Sequence, residues 1–480
     1  MHPLKRVRSR LLAAAALALA ALLAVGCSLA PKYERPSPVL PGDWTSGVGP
    51  RAQANATLPD WRQVVSDPAM QKLIELALAN NRDLRVAMLR IEKAQAQYQI
   101  ARADLLPKID ASAGANMQRT PASLSGMGVP VTSRAYSVGL GFSAFELDLF
   151  GRVQSLKDAA LEQFLATEDA KKSVELSLVA EVATAYLSLA ADREHLALAQ
   201  EILTTERESY EIVRQRSEFG VANDLDLKRA QTTVDSARVA AARYQGQVTQ
   251  DENLLAVLVG MPLAGELSPA RTLAGVGPLV PVPAGLPSEV LTRRPDVSSA
   301  EHQLKAANAN IGAARARFFP SISLTGSYGT ASNEIDGLFK NGSVAWSFVP
   351  QITLPLFHAG AISAGVKAAE AERGILAAQY EKAVQTAFRE VSDCLALGTS
   401  LADQTEAQAS LAEAALESYT LATLRYEAGV DAYLSKLDAQ RSSASARQEL
   451  IAVRLARAGN LLTLYKALGG GWSKEEAQGN

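Results

Sequence analysis

Residues 101–109 read ARADLLPKI, and residues 314–322 read ARARFFPSI. A stretch that returns about 210 positions later is spaced too widely for a solenoid repeat, so it indicates two copies of a whole structural unit. A second match keeps nearly the same spacing, because FGV at 219–221 corresponds to AGV at 428–430. The chain is therefore expected to contain an internal duplication, with a first repeat over 61–261 and a second over 288–469.

Each repeat is predicted to contain a helix, a pair of strands, a very long helix, a turn and a further helix. Pro107 and Pro320 are expected where helix gives way to strand, because proline blocks helix continuation and biases its predecessor towards extended structure. No proline interrupts residues 151–261. A helix over about 152–218 would be roughly 100 Å long at 1.5 Å per residue.

Apolar residues form two seams along this long helix. The first follows alternating steps of four and three, as in a coiled coil, and the second runs beside it. Two seams favour a helical barrel with neighbours on both sides, although core packing of a helical bundle accounts for them equally well. The next helix carries a matching seam in which Asp251 is the one polar position. The first seam comprises Leu178, Val182, Ala185, Leu189, Asp192, Leu196, Ala199 and Leu203, and the second comprises Leu176, Val179, Ala183, Tyr186 and Ala190.

Four segments alternate between apolar and small polar residues, which is typical of transmembrane β-strands; a half-buried soluble hairpin is the alternative. Four strands cannot close a barrel, since about eight is the smallest useful number. The chain must therefore share its barrel, and a dimer, trimer or tetramer stays possible on this argument. The predicted strands are about 108–118, 135–149, 321–331 and 343–357, and the apolar face of the second is Tyr136, Val138, Leu140, Phe142 and Ala144.

The N-terminus is typical of an export signal, with a basic start and an apolar run too short for a comfortable membrane span. It ends in LAVGC at 23–27, which resembles a lipobox, so residues 1–26 are expected to be removed and Cys27 to carry lipid. An incidental cysteine near an ordinary cleavage site is the alternative. Ser28 is not an aspartate of the kind that resembles an inner-membrane retention signal, so sorting to the outer membrane is expected.

The remaining segments and the composition narrow the function. Residues 27–60 and the Pro-rich connector 262–287 are expected to be extended, and 470–480 to form a tail. The net charge of −2 makes nucleic acid a poor partner. The four histidines have no metal-ligand spacing, and we find no nucleophile motif or glycine-rich phosphate loop. We expect neither an enzyme nor a cofactor.

Three further stretches resemble a known family: FELDLFGR at 145–152, YEAGVDAYLSKLDAQR at 426–441 and LYKALGGGW at 464–472. They resemble the lipoprotein branch (OprM-like, NodT-type) of the TolC-like outer membrane factors. The resemblance implies an α+β membrane protein. Three identical chains would form a twelve-stranded transmembrane β-barrel, four strands per chain, continuous with a long periplasmic α-helical barrel and an equatorial belt of connectors and termini.

The same resemblance implies a function and partners. The chain would be the exit duct of a tripartite efflux system, conducting drugs or other small toxic compounds passively from a periplasmic adaptor and an inner-membrane resistance-nodulation-division (RND) pump to the exterior. One alternative is the outer channel of a type I protein secretion system. Another is a periplasmic coiled-coil spacer without a pore, for which the alternating strands would have no use.

Two groups of residues are candidates for the functional site. The chain is expected to reverse at turns over about 219–224 and 428–433. Each turn contains a glycine, which tolerates the positive φ of a helix C-cap. They are the expected adaptor-docking tips, with Gly220, Val221, Asn223, Asp224, Gly429, Val430 and Asp431. By resemblance, the periplasmic gate is formed by Leu434, Asp438 and Arg441, which share one helix stripe. Their first-repeat equivalents, Leu225, Arg229 and Thr232, lack the carboxylate.

Overall fold

The computed structural model describes residues 28–37, 59–263, 272–277, 279 and 288–471. These residues divide into two compact units. The first comprises the described residues up to Pro36 with Arg90–Glu168 and Ser299–Tyr380, and it contains all four strands. The second comprises those of Ser37–Leu89, Asp169–Ser298 and Glu381–Asn480. Most of the predicted extended segments 27–60 and 262–287 and of the tail lies outside the described residues.

The order helix, two strands, long helix and helix occurs twice along the chain, as the duplication predicts, and two further helices precede its first occurrence. The two longest helices have 67 residues each and are therefore about 100 Å long. The first half contains α1 (Trp61–Val64), α2 (Pro68–Asn80), α3 (Arg82–Ala103), β1 (Asp110–Thr120), β2 (Val131–Leu147), α4 (Arg152–Glu218) and α5 (Asp224–Val259). The second half contains α6 (Pro295–Ala316), β3 (Ser321–Ser332), β4 (Val344–Thr353), α7 (Ala361–Glu427) and α8 (Tyr433–Ala467).

The four strands of the first unit form one antiparallel sheet in the order β1-β2-β3-β4. Ala111 lies opposite Leu140, Leu140 opposite Tyr328 and Tyr328 opposite Trp346, so one face carries a continuous apolar row. On the other face the hydroxyls of Ser327 and Ser347 lie 2.8 Å apart. The sheet therefore has one apolar face and one face of small polar residues.

The alternation in β2 is interrupted at one place, which corrects the expectation for Ala144. The register shifts between Phe142 and Phe145, and Ala144 has φ +51°. Such a β-bulge inserts an extra residue. Because of it Phe145, opposite Leu324, takes the place on the apolar face that was expected for Ala144.

The strand ends also differ from the expected bounds. β2 begins at Val131 instead of 135 and ends at Leu147 instead of 149. β4 ends at Thr353 instead of 357, two residues before Pro355, which has no N–H to donate to a ladder. β1 begins at Asp110 instead of 108.

The second unit has a helical core. Asp67 caps α2 by accepting a hydrogen bond from the Met70 amide (2.8 Å), and it also accepts one from the Tyr186 hydroxyl of α4 (3.0 Å). An 18-residue window of α4 is apolar enough to cross a membrane, but 67% of it is buried within the chain. The two predicted seams of α4 are confirmed as buried at Leu178, Val182, Ala185, Leu189 and Ala199, and at Leu176, Val179, Ala183, Tyr186 and Ala190.

Candidate functional site

Two turns of the second unit, one in each repeat, reverse the chain in the same way. Gly220 and Gly429 have φ +71° and +74°, the left-handed conformation that glycine adopts without strain. In each turn the amide that follows the glycine donates to a carbonyl at the end of the preceding helix: Val221 to Arg216 (2.8 Å) and Val430 to Arg425 (2.9 Å). These bonds form the glycine-terminated helix cap that the sequence predicts.

The apolar residues of both turns face solvent. The exposed fraction is 76% for Val221 and 64% for Val430. Phe219, which the sequence reasoning missed, is more exposed still, at 83%. Its position directly before the turn glycine was the available signal. Apolar side chains exposed to this extent at a hydrogen-bonded turn are suited to contact with another surface.

The polar residues of the two turns have different roles. Asn223 caps α5 by accepting a hydrogen bond from the Asp226 amide (2.8 Å), and Asp224 lies in the first turn of that helix. In the second repeat Ala432 occupies the cap position and offers no side-chain cap. There Arg425 donates two hydrogen bonds to Asp431 (2.6 and 3.0 Å), which hold the pKa of the Asp431 carboxyl below its usual value. The ion pair between Arg425 and Asp431 thus joins the end of α7 to the turn of the second repeat.

The structure places Leu434, Asp438 and Arg441 on one exposed stripe of α8. Tyr433, Leu437 and Gln440, each one residue before a member of the stripe, are buried on the adjacent face of the helix. The stripe is therefore not used in packing within the chain. In the first repeat Leu225 and Thr232 are exposed, and Arg229 lies 3.6 Å from Asp226.

Beneath the turns lies a buried polar group that sequence reasoning missed. Lys436 is 7% exposed and donates to the Ser209 hydroxyl (3.2 Å), and Glu206 is 5% exposed. Burial lowers the pKa of Lys436 and raises that of Glu206, and the attraction between the two charges opposes both shifts. Burial also raises the pKa of Tyr433 to about 12. These residues form a partly polar layer between the packed helices, next to the exposed stripe of α8.

In the first unit, helix gives way to strand near the two predicted prolines. α6 ends at Ala316, and β3 begins at Ser321, directly after Pro320; α3 ends at Ala103 and β1 begins three residues after Pro107. Phe319 stacks on Phe150 with ring centroids 4.7 Å apart. The two rings line a cleft of about 670 Å³ between the ends of β2 and β4.

The N-terminal segment of the first unit lies along α6. Asn308 donates to the Pro31 carbonyl (2.7 Å), and Arg35 forms two hydrogen bonds with Glu301 (3.0 and 2.6 Å). A Cβ at Gly312 would lie 2.7 Å from the Ala30 amide nitrogen, so the segment approaches the helix closely there. Residues 35 to 30 therefore follow α6 towards its β3 end. Cys27 lies outside the described residues.

No group of three or more His, Cys, Asp or Glu residues suited to a metal ion occurs among the described residues. The exposed turns, the stripe on α8 and the two-faced sheet are thus the features from which a function must be built.

Comparison with known proteins gives one consistent result. The family model described as "Outer membrane efflux protein" matches residues 73–261 and 286–470, which correspond to the two repeats. The chain is similar to the probable efflux pump outer membrane protein TtgC of Pseudomonas putida, with 46% identity over 97% of this chain and 96% of that protein. It is also similar to the outer membrane protein OprJ of Pseudomonas aeruginosa, with 44% identity over 95% of each.

Solved structures agree. The open state of the MtrE outer membrane channel of Neisseria gonorrhoeae is similar with a TM-score of 0.84 and 40% identity, over 93% of this chain and 98% of that one. The CmeC outer membrane channel of Campylobacter jejuni has a TM-score of 0.88 and 26% identity, over 94% and 98%.

Proposed function

The chain belongs to the outer membrane efflux protein family, and from that premise we propose how its parts form a working duct. It is an outer-membrane efflux channel with a periplasmic extension. One observation carries the proposal: in each repeat a strand of a two-faced sheet leads directly into a 67-residue helix. The apolar face suits lipid, and the face of small polar residues suits a water-filled lumen.

Three copies close the channel. Within a membrane, unpaired strand edges are not tolerated, so a four-stranded sheet must join others. Eight strands leave an interior just wide enough for side chains to fill, whereas twelve leave an open lumen. The small residues Ser112, Gly114 and Ser327 on the polar face favour the wider barrel. Sixteen strands would leave an open lumen as well, and it is the resemblance to the TolC-like outer membrane factors that favours three copies: a homotrimer with a twelve-stranded barrel and a helical barrel in the periplasm.

The duct receives its cargo from partners. Relatives are named as outer membrane proteins of efflux pumps, including an "antibiotic efflux pump" in Pseudomonas putida. The partners of this chain are a periplasmic adaptor and an inner-membrane RND pump, and its cargo is small toxic compounds. The exposed turns at Gly220 and Gly429 are the adaptor-docking tips, since they present apolar side chains to solvent.

The stripe on α8 closes the periplasmic end. In the trimer three copies of Leu434, Asp438 and Arg441 surround the axis, which is consistent with the exposure of all three in the single chain. Three carboxylates near an axis repel one another unless cations compensate, and the guanidinium of Arg441 supplies that charge. The ring comes from the second repeat alone, because the first has Arg229 at the position of Asp438.

A lipid on Cys27 adds an anchor. The segment that follows it lies along α6 towards the β3 end, which directs the N-terminus to the side of the strands. Because the barrel already spans the membrane, acyl chains strengthen attachment without being the sole means of insertion. Labelling with a palmitate analogue should mark the wild type and not Cys27→Ser; label that persists in the variant contradicts the assignment.

Conductance tests the channel itself. Purified protein in a planar bilayer should give stable single-channel currents, whereas a periplasmic spacer without a pore would give none. In cells, deletion of the gene should raise sensitivity to small toxic compounds, and the wild-type gene should restore resistance. If deletion instead stops export of a protein and leaves compound sensitivity unchanged, the chain serves type I secretion and the efflux role is wrong.

A further inference from the structure

The cleft between the ends of β2 and β4 is large enough to hold a small molecule. Its volume is about 670 Å³, and ligand sites typically enclose about 300–1,000 Å³. Its lining residues come from three segments, 146–156, 310–321 and 353–365, which all belong to the first unit. The walls of the cleft are therefore supplied by a single chain.

The cleft opens on the polar side of the sheet. Ser321 and Thr353, which line it, lie opposite each other at the ends of β3 and β4. Side chains alternate between the two faces of a strand, so Ser321 lies on the same face as Ser327. That face of small polar residues is the lumen side of the channel in the proposed function. The inference below rests on that function and concerns a compound that the lumen binds.

Two stacked rings give the cleft an apolar surface. The centroids of Phe150 and Phe319 are 4.7 Å apart, and their planes are inclined by 21°. Phe319 nevertheless stays 40% exposed, and so does Leu156, which also lines the cleft. Aromatic rings attract further rings in stacked or edge-to-face arrangements. The cleft is thus suited to a planar aromatic group.

The charged groups of the cleft leave one positive charge without a partner. Arg152 donates two hydrogen bonds to Glu146 (2.8 and 2.5 Å), and Asp148 accepts one from a backbone amide in the first turn of α4 (2.7 Å). In the part of the chain that the structure describes, the Arg317 side chain has no hydrogen bond or ion pair. His358, also exposed, adds positive charge when it is protonated. A free guanidinium is suited to a carboxylate or sulfonate, which it can bind through two parallel hydrogen bonds.

The duplication shows that the arginine and the ring are peculiar to the second repeat. The matched sequences ARADLLPKI and ARARFFPSI place Arg317 at the position of Asp104 and Phe319 at the position of Leu106. Asp104 lies 2.8 Å from Lys108, so the first repeat has an exposed ion pair there. Helix gives way to strand in both repeats. The fold of this junction therefore requires neither Arg317 nor Phe319.

We propose that the cleft is a binding site in the lumen for small aromatic anions. The ring of the bound compound packs against Phe319, and its anionic group accepts hydrogen bonds from Arg317. A compound of this class is held here on its way out of the duct. Neutral aromatic compounds gain only the contact with the ring, and aromatic cations are repelled by the guanidinium.

Photolabelling of the detergent-extracted full-length protein tests the site. The probe is azidonaphthalenesulfonate, and the labelled peptides are identified by mass spectrometry. Labelling should be saturable and should fall within 146–156, 310–321 and 353–365. Unlabelled naphthalenesulfonate should displace the probe at a concentration at least tenfold lower than naphthylmethylamine, a cation of similar size.

Two variants remove the proposed contacts. Arg317→Ala should raise the probe concentration that half-saturates labelling by about tenfold, because a hydrogen bond to a charged group is lost. Phe319→Ala should raise it by about threefold or more, because the ring contact is lost.

The neighbouring residues of the same types provide matched controls. Arg315 pairs with Glu370 (3.0 Å), Phe318 is 50% exposed, and neither lines the cleft. Arg315→Ala and Phe318→Ala should leave the half-saturating concentration within twofold of the wild type. The site is refuted if these controls weaken labelling as much as the cleft variants, or if the anion and the cation compete equally well.

Conductance of the same preparations judges the proposed function separately. A protein that conducts in a planar bilayer but is labelled outside the cleft, or without saturation, refutes the binding site alone. A protein that is labelled in the cleft but does not conduct refutes the proposed channel, and with it the position of the site in a lumen.

Discussion

At the scale of single residues, Arg294 joins three elements of the second unit. Its side chain is 9% exposed and donates to Asp296 (3.0 and 2.8 Å), to Glu390 of α7 (2.9 Å) and to the Ala467 carbonyl at the end of α8 (2.6 Å). One guanidinium thereby donates hydrogen bonds to two carboxylates and to a backbone carbonyl at a helix end. Its five fixed donors allow this arrangement, which an ammonium group cannot reproduce.

We expect Arg294→Ala to lower the free energy of unfolding by about 1.5–3 kcal/mol, because it removes the charged hydrogen bonds of a buried side chain, while Asp296 and Glu390, exposed by 42% and 38%, stay partly hydrated. Arg294→Lys should recover part of that loss. Denaturant unfolding of the detergent-extracted protein, followed by circular dichroism, measures it. The control is Arg425→Ala, which removes an exposed ion pair with Asp431 and should change the free energy of unfolding far less. Equal costs for the two variants would contradict the role of burial.

The pairing of Arg294 with Asp296 also makes the stability of the fold depend on pH. Burial alone would raise the pKa of Asp296, but the hydrogen bonds and charge of Arg294 outweigh it and hold that pKa below its usual value. A carboxyl with a lowered pKa stabilises the fold above the pKa of the unfolded chain, and the stabilisation is lost as the pH falls through the lowered value. In acid unfolding followed by circular dichroism, this loss of stability should be smaller in Arg294→Ala than in the wild type, where Glu301 and Glu201 also have lowered pKa values and account for the remainder.

At the scale of elements, the seam between α4 and α5 contains a carboxyl pair. Asp192 and Asp251 occupy seam positions, and their carboxyl groups interact. Burial, followed by the negative charge of Asp192, raises the pKa of Asp251 to about 6. The surrounding charged and titratable groups are Arg193, which pairs with Glu252 (2.8 Å), Glu194, which accepts from the Leu273 amide, and Arg243 and His195, both close to Tyr244.

A raised carboxyl pKa stabilises the fold at low pH, and that stabilisation is lost as the pH rises through about 6. We therefore expect the wild type to unfold at a lower temperature at pH 7.5 than at pH 5. Asp251→Asn keeps the side-chain shape and should remove most of this difference in unfolding temperature. Asp235→Asn, at an exposed position of α5, should keep it. If the difference in unfolding temperature is unchanged in Asp251→Asn, another group is responsible for the pH dependence.

The turn of the second repeat gives a prediction about docking. Val430→Ala with Asp431→Ala should leave the trimer intact and reduce chemical cross-linking to the adaptor several-fold, because the exposed apolar contact is lost. Leu411→Ala, at an exposed site within α7, is the control and should have no effect.

Arg425→Ala separates contact from turn geometry, since it breaks the Arg425–Asp431 pair and leaves both docking residues in place. If Arg425→Ala reduces cross-linking as much as the double variant does, the turn acts through its shape and the contact role is wrong.

The element level is also where prediction from sequence succeeds and fails. Strands, long helices and glycine turns follow from periodicity and from the absence of proline, so they are visible in the chain. The bulge at Ala144 cannot be predicted from the sequence, because Phe-Ser-Ala-Phe contains no glycine or other residue that signals an inserted position in a strand. Lys436 and Glu206 look like solvated charges, and only the packing of four helices decides that they are buried. The stripe of Leu434, Asp438 and Arg441 is visible, since its spacing places it on one face.

At the scale of the whole molecule, the proposed ring at the periplasmic end controls permeability. Asp438→Ala with Arg441→Ala should raise bilayer conductance and make cells sensitive to large antibiotics such as vancomycin, without loss of the trimer. Asp438→Ala alone should act in the same direction. This single variant is needed because the charge of Arg441 also acts on the buried Glu206.

Thr232→Ala in the first repeat is the matched control for the ring, since it changes the position equivalent to Arg441 on the other tip. It should leave conductance and antibiotic exclusion as in the wild type. Wild-type conductance in the double variant would place the constriction elsewhere in the channel.

The two unlike turns have an evolutionary consequence. In a ring of separate half-size chains, every substitution would appear at all tips at once. Because both repeats are encoded in one gene, Asn223 can be retained as a helix cap in one while Ala432 and the Arg425–Asp431 pair replace that cap in the other. Selection can therefore change the residues of one tip without changing those of the other, and each tip can tolerate mutations that the other cannot.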